Sequence, residues 1–194
     1  AIADKIAIAR KLGIRGVENI SKFTEEISKI VVATNLTAEQ AALDMATLAG
    51  VMEEPIENID RMAATLVGLG NTSRAQESII LDFAKRIAGA GHIVGLTTGQ
   101  VLGLGAAFAS VGLEAEAGGT AIQQVLLEMN KAIEGGGAQM RAFAAVAKLT
   151  GNDLSQTAEQ FQQLFRGDPG EAFTLFVEGL AKSGAFCVAA DFSL

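Results

Sequence analysis

Apolar residues recur at the three- and four-residue spacing of an α-helix in segment after segment of this chain. One such stripe runs from Val17 to Ile30 and another from Ile122 to Ile133. No stretch alternates β-branched and polar residues as a strand does, and only two prolines interrupt the 194 residues. This periodicity predicts an all-α fold, either a compact multi-helical bundle or a helical array of about ten short helices.

Capping residues mark where these helices start and stop. Four pairs have the spacing of a capping box, namely Thr37–Gln40, Ser73–Gln76, Thr97–Gln100 and Asp168–Glu171. Pro55 and Pro169 stand where a first helical residue tolerates a missing N–H. Glycines predict the stops at 50, 68–70, 112, 135–137, 151 and 167. The predicted helices span residues 1–12, 17–33, 38–50, 55–68, 74–89, 98–111, 115–134, 138–149, 155–166 and 169–182.

A degenerate internal repeat is visible in the spacing of these starts. Leu96-Thr97 follows Leu36-Thr37 by 60 positions, and Leu154-Ser155 follows by a further 58. Each pair precedes a short apolar helix that ends at glycine. The pattern is consistent with stacked helical units, although alanine-rich helices also resemble one another by chance.

The longest segment without a charged residue, 87–113, contains the predicted interaction surface. If residues 98–111 are helical, one apolar face carries Val101, Leu104, Phe108 and Val111. Small residues form a ladder beside that face, at Gly95, Gly99, Gly103 and Ala107. Such ladders let two helix axes approach closely, which offsets the cost of about 1 kcal/mol for each interior glycine. We therefore predict a close helix-packing surface here.

The same segment also raises the alternative of a membrane segment. Its 27 uncharged residues exceed the roughly 20 that a spanning helix needs. Seven glycines, several polar side chains and a predicted glycine-broken loop at 89–95 argue against stable spanning. Packing inside a soluble assembly is the favoured interpretation, and conditional insertion into a membrane is the alternative.

The sequence offers little for catalysis or ligand binding. His92 is the only histidine and is predicted to be a loop residue without metal-ligand neighbours, and the single cysteine, Cys187, has no positioned base. The net charge of −7 and the absence of Trp and Tyr disfavour binding to nucleic acid. We expect a protein that is not an enzyme and has no cofactor, no metal, no small-molecule substrate and no direct nucleic-acid contact. We also expect a segment of a longer chain, because the first residues already have the pattern of mid-helix.

An ordered series of motifs in the middle of the chain carries a family resemblance. The series runs LVGLGNTSRAQESIILDFAKRIAGAG and then GLTTGQVLGLGAAFASVGLEAEAGGTAI, with TNLTAEQAA upstream and RGDPGEAFTLFVEGL downstream. It resembles the core region of tail tape measure proteins of long-tailed bacteriophages, over roughly residues 30–182. The resemblance weakens after Ser183.

The resemblance implies a structural role. Tape measure proteins are long helical proteins, present in several copies, around which tail tube subunits polymerise and whose length sets the length of the tail. Self-association is expected, together with contacts to tail tube proteins, tail tip proteins, assembly chaperones and, transiently, the host membrane. The implied location is the lumen of the virion tail, with assembly in the host cytoplasm and release during genome delivery. The expected division is an N-terminal helical extension at 1–35, a tape measure core at 36–183 and a divergent tail at 184–194. A membrane-active helical module that acts during delivery is the alternative function.

Overall fold

The computed structural model of the protein describes residues 2–135 and 137–183. These residues form ten α-helices and three short 3₁₀ turns and contain no β-strand, so the predicted all-α fold is confirmed. The helices are α1 (Ile2–Lys11), α2 (Val17–Ala33), α3 (Ala38–Val51), α4 (Ile59–Thr72), α5 (Glu77–Val94), α6 (Thr98–Ser110), α7 (Ala115–Gly135), α8 (Ala138–Ala147), α9 (Ala158–Gly167) and α10 (Pro169–Lys182). The 3₁₀ turns are Ile56–Asn58, Lys148–Thr150 and Asp153–Ser155.

Three of these helices begin at a threonine that makes a complete capping box with a glutamine three residues later. The pairs are Thr37–Gln40 at α3, Thr97–Gln100 at α6 and Thr157–Gln160 at α9. The third box corrects the sequence analysis, which placed the third repeat mark at Ser155. Ser155 is instead fully buried in a 3₁₀ turn, where its hydroxyl donates to the carbonyl oxygen of Ala147. Its role is to close a turn, because a buried hydroxyl needs an acceptor close by.

The three capping boxes establish a regular repeat of 60 residues. Thr97 follows Thr37 by 60 positions, and Thr157 follows Thr97 by the same number. The helix before each box carries a phenylalanine with the same period, at positions 23, 83 and 143. Each repeat therefore has three helices, α1–α3, α4–α6 and α7–α9, of which the third starts at the capping box. This shared order of helices argues against chance similarity.

Backbone contacts divide the chain into two compact units, and the first extends to His92 and includes Thr97–Gln123. In this unit α1, α2 and α3 pack on one another, and α4 packs on α2 and α6. Phe23 and Phe83 are completely enclosed in its core. At the surface Lys22 of α2 pairs with Asp60 of α4 at 3.2 Å. The pairing lowers the pKa of Asp60, chiefly through the hydrogen bond from Lys22.

The second unit comprises Ile93–Leu96 and the chain from Gln124 onward. Here α10 packs on both α8 and α9. Gly179 of α10 lies directly against the backbone carbonyl of Val146, so that this crossing has no room for a side chain. Beside it the rings of Phe143 and Phe176 meet edge to face, with centroids 5.2 Å apart. Close backbone approach and aromatic contact together explain why α10 is held on this unit.

Several predicted helix ends are wrong. The loop predicted at 89–95 is helical as far as Val94, so that α5 continues through Gly89. In the same way α4 passes through Gly68 and ends at Thr72, and Ser73 follows α4 as its C-cap and does not cap α5. Tertiary packing decides these ends, since buried apolar residues can hold a helix together across a glycine.

Other helix ends were predicted correctly. Gly112 and Gly151 have the left-handed backbone expected of a helix stop, with φ of 81° and 80°. Asp168 accepts a hydrogen bond from the N–H of Glu171, and Pro169 is the first residue of α10. The predicted division into 1–35, 36–183 and 184–194 stays a prediction, and its last segment lies outside the described residues.

Candidate interaction surface

The predicted interaction surface centres on α6, and local hydrogen bonds fix where that helix starts. Thr97 Oγ1 accepts from the backbone N–H of Gln100 at 3.2 Å, and Gln100 Oε1 accepts from the N–H of Thr97 at 2.9 Å. The hydroxyl of Thr98 donates to Glu54 at 2.6 Å, and Asn58 also donates to that carboxylate. These bonds anchor the first turn of α6 to the connection between α3 and α4.

The buried face of α6 differs from the predicted apolar face. Its buried residues are Thr98, Val101, Leu102, Gly105 and Ala106. They follow one another at helical spacing and form one continuous stripe. The close helix contact lies at Gly105, where an added Cβ would be 2.8 Å from the backbone oxygen of Ile80 on α5. Sequence reasoning missed Gly105, because the spacing of Leu104 and Phe108 pointed to the neighbouring face.

The predicted apolar residues are divided between core and surface. Val101 is fully buried, while Leu104 and Phe108 are half-buried. Val111 follows the last residue of α6 as its C-cap and is 70% exposed. The four residues therefore do not form one buried stripe.

The predicted ladder of small residues lies on the more open side of α6. Gly95 precedes the helix in a turn with φ of 86°, so that the helical ladder begins at Gly99. Gly99 and Ala107 are exposed, Gly103 is half-buried, and an added Cβ at Gly103 would meet no atom within 4 Å. Among the described residues this ladder makes no close helix crossing. Whether it packs against another molecule stays a prediction.

Charged side chains near α6 are arranged as local pairs. Lys85 on α5 lies 2.7 Å from Asp44 on α3 and 3.0 Å from Asp82. Burial lowers the pKa of Lys85, but hydrogen bonds to Asp44 and Asp82 raise it further, and the net shift is upward. The charged form is thus favoured, and Lys85 tethers α5 to α3 as a permanent cation.

His92 and Cys187 were the two residues singled out for possible chemistry. His92 is a helical residue near the end of α5 and not a loop residue, and its Nε2 lies 3.9 Å from Oε1 of the exposed Glu53. In the described ranges no three His, Cys, Asp or Glu residues are grouped as metal ligands. Cys187 lies outside the described residues.

Membrane spanning requires a long and strongly apolar helix. None of the helices between residues 2 and 183 that the structure describes meets both requirements.

The helices and their packing define an all-α protein assembled from three-helix repeats, with helix-packing faces as its most developed surfaces. A family model for phage-related minor tail proteins matches residues 2–181, from α1 to α10, and the chain belongs to that family. It is therefore a phage tail protein with a structural role. Comparisons with curated proteins and with solved structures give no significant match.

Proposed function

We propose that the protein is a segment of a tail tape measure protein. The observation that carries the proposal is the ordered series of helix-end motifs in a chain of the phage-related minor tail protein family. The GLGN segment closes α4, the FAKRIAGAG segment lies in α5, the GLT segment caps α6, and the AGGTAI segment opens α7. In this role the protein scaffolds polymerisation of the tail tube and sets its length, without catalysis.

The proposed role places the protein among protein partners in the lumen of the virion tail. It is made in the host cytoplasm, associates with copies of itself and with tail tube proteins, tail tip proteins and assembly chaperones, and leaves the tail during genome delivery. Packed helices with uncharged faces suit such contacts. The net charge of −7 is unsuited to binding the phage genome directly. No cofactor, metal or small-molecule substrate is part of the proposal.

We further infer that the measuring rod lies elsewhere in a longer chain. The helices here are short and pack back on their neighbours, as α8, α9 and α10 do. A rod of continuous helix would instead extend by about 1.5 Å per residue. Residues 1–194 then form a folded domain attached to the rod.

Tail lengths measured by electron microscopy test both parts of the proposal. Loss of the reading frame from the phage genome is expected to abolish tails of defined length. Tails of normal length without it would overturn the tape measure role. In-frame duplication of residues 97–156 is expected to lengthen the tail far less than the roughly 90 Å that 60 residues of continuous helix would add. Lengthening near that value would assign the rod to this segment instead.

A second candidate function is a membrane-active module that acts during delivery. The exposed side chains of Val111 and Leu113, in the turn after an uncharged helix, favour it. Leakage of dye from liposomes tests it with Gly103→Lys, since open space around Gly103 lets a side chain be added without unfolding α6. Gly68→Lys on α4, where space is equally open, is the control. Leakage that only Gly103→Lys abolishes would support the module, and absence of leakage by the unmodified protein would exclude it.

A further inference from the structure

An open groove of about 510 Å³ lies between α1 and α2 in the first unit. Ile6 and Arg10 line it from α1, and Val17, Thr24 and Glu25 are among the residues that line it from α2. Thr24 is only 7% exposed, and its Oγ1 is buried without a hydrogen-bond partner among the described residues. A buried hydroxyl without a partner is destabilising, so this groove holds an unfilled polar requirement.

The 60-residue period identifies the equivalent face in the second repeat. Ser21, Thr24, Glu25 and Ser28 of α2 correspond to Leu81, Ala84, Lys85 and Ala88 of α5. The three apolar residues of that set are fully buried, and Lys85, which lies on the same face of α5, pairs with Asp44 of α3. In the second repeat this face therefore lies against the third helix of the preceding repeat. The groove between α1 and α2 is the same kind of seat with no helix in it.

The chain itself carries helices of the type that fills this seat. The third helix of the last described repeat is α9, which holds Gln163 and Arg166 at exposed positions and no acidic residue between Gln160 and Gly167. Glu25, on the groove, occupies the position of Lys85 and carries the opposite charge. An incoming helix must then present a cation where α3 presents Asp44, and Arg166 supplies one.

We propose that copies of this protein associate head to tail, with α9 of one copy packed in the groove between α1 and α2 of the next. The proposal rests on the self-association proposed above and names its surface. The polar residues Ser21 and Ser28 keep the unfilled groove solvated before assembly, unlike the leucine and alanine of the second repeat. Because each copy carries both halves of the contact, the association is heterologous and is not limited to a dimer.

Charge reversal tests the contact by sedimentation velocity over a range of concentrations. The unmodified protein is expected to form concentration-dependent oligomers, and Glu25→Arg and Arg166→Glu alone are each expected to weaken association about tenfold. A one-to-one mixture of the two variants is expected to regain oligomers, since each groove then meets a helix of opposite charge. The double variant, which carries both changes in one chain, is expected to regain them too.

Control variants keep the result specific to this contact. Glu178→Arg and Arg74→Glu reverse exposed charges away from the groove and from α9, and they are expected to leave association unchanged. Circular dichroism verifies that each variant is folded, and Ser21→Arg on the groove is the second test if Glu25→Arg unfolds. A protein that remains monomeric, or oligomers that ignore these changes, would overturn the head-to-tail contact. Either result leaves the tape measure role to the tail-length experiment.

Discussion

The ammonium group of Lys85 on α5 lies 2.7 Å from a carboxylate oxygen of Asp44 on α3, and this ion pair joins the second repeat to the first. Lys85 also reaches Asp82, one turn earlier on its own helix, at 3.0 Å. The Asp44 side chain is 16% exposed, whereas that of Asp82 is 57% exposed. Water screens the contact with Asp82 more strongly, so the contact between the repeats is the more stabilising of the two.

Asp44→Asn is expected to lower the free energy of unfolding by about 1 kcal/mol, because Lys85 loses its better shielded partner. For a chain of this length, that change corresponds to a Tm lower by about 2–4 °C. Differential scanning calorimetry measures it, with Asp82→Asn as the matched control. A larger effect of Asp82→Asn would show that the contact between repeats is the weaker one.

Alkaline pH is expected to remove the contribution of Lys85. A lysine whose pKa is raised by folding stabilises the folded state below the ordinary value of 10.5, and the contribution is lost as pH rises through the raised pKa. Urea denaturation should thus give a difference in unfolding free energy between wild type and Lys85→Met that is constant from neutral pH to about pH 10 and shrinks above it. A difference that persists unchanged in stronger alkali would contradict this assignment.

Two glycines two residues apart on α6 are expected to respond in opposite directions to alanine. At Gly105 an added methyl group would lie 2.8 Å from the backbone oxygen of Ile80 and 3.3 Å from Cβ of Phe83, so Gly105→Ala forces the two helices apart. We expect a loss of about 1–3 kcal/mol. Gly103→Ala meets open space and should gain about 0.5–1 kcal/mol from better helix propensity. Chemical denaturation of both variants checks the pair, and equal effects would mean that α6 does not pack through Gly105.

The third capping box is expected to stabilise α9 as the other two stabilise α3 and α6. Thr157→Ala removes the acceptor for the N–H of Gln160 and should reduce stability by about 1 kcal/mol, while Thr157→Ser keeps the hydroxyl and most of the stability. Thr120→Ala, which removes only an exposed hydroxyl from the interior of α7, is the control. Thermal unfolding followed by circular dichroism distinguishes them. A harmless Thr157→Ala would show that α9 is held by packing alone.

The aromatic pair that joins α8 to α10 is suited to a double-mutant cycle. Phe143→Leu and Phe176→Leu each keep an apolar side chain but remove the edge-to-face contact at 5.2 Å. Denaturation of the two single variants and the double variant should give a coupling energy of about 0.5–1.5 kcal/mol. Strictly additive effects would mean that the two rings contribute only through the area that each buries.

Sequence patterns predicted the features that depend on a few adjacent residues. Thr37, Thr97 and Asp168 cap helices as expected, because a capping hydroxyl or carboxylate and its N–H partner lie within three positions. Helix ends that depend on distant contacts were missed. Gly89 looks like a stop in isolation, and α5 continues past it while the neighbouring Ile87 and Ala90 are enclosed in the protein.

The orientation of α6 was beyond prediction for the same reason. Gly103 and Gly105 are both small and both helical, and only the position of α5 decides which of them makes the close contact. The groove between α1 and α2 likewise became interpretable only after the repeat had been placed at its true period. Thr24 then has a counterpart, Ala84, whose environment shows what the groove lacks.

The equal spacing of Thr37, Thr97 and Thr157 restricts how such a protein can evolve. Inserting a single residue inside a helix rotates everything beyond it by about 100° and moves each apolar face away from its partner. Copying or removing a whole module changes no internal register, because every module begins its last helix with its own hydroxyl cap. Natural variants of this architecture should therefore differ in size by complete modules, with smaller insertions confined to the turns between them.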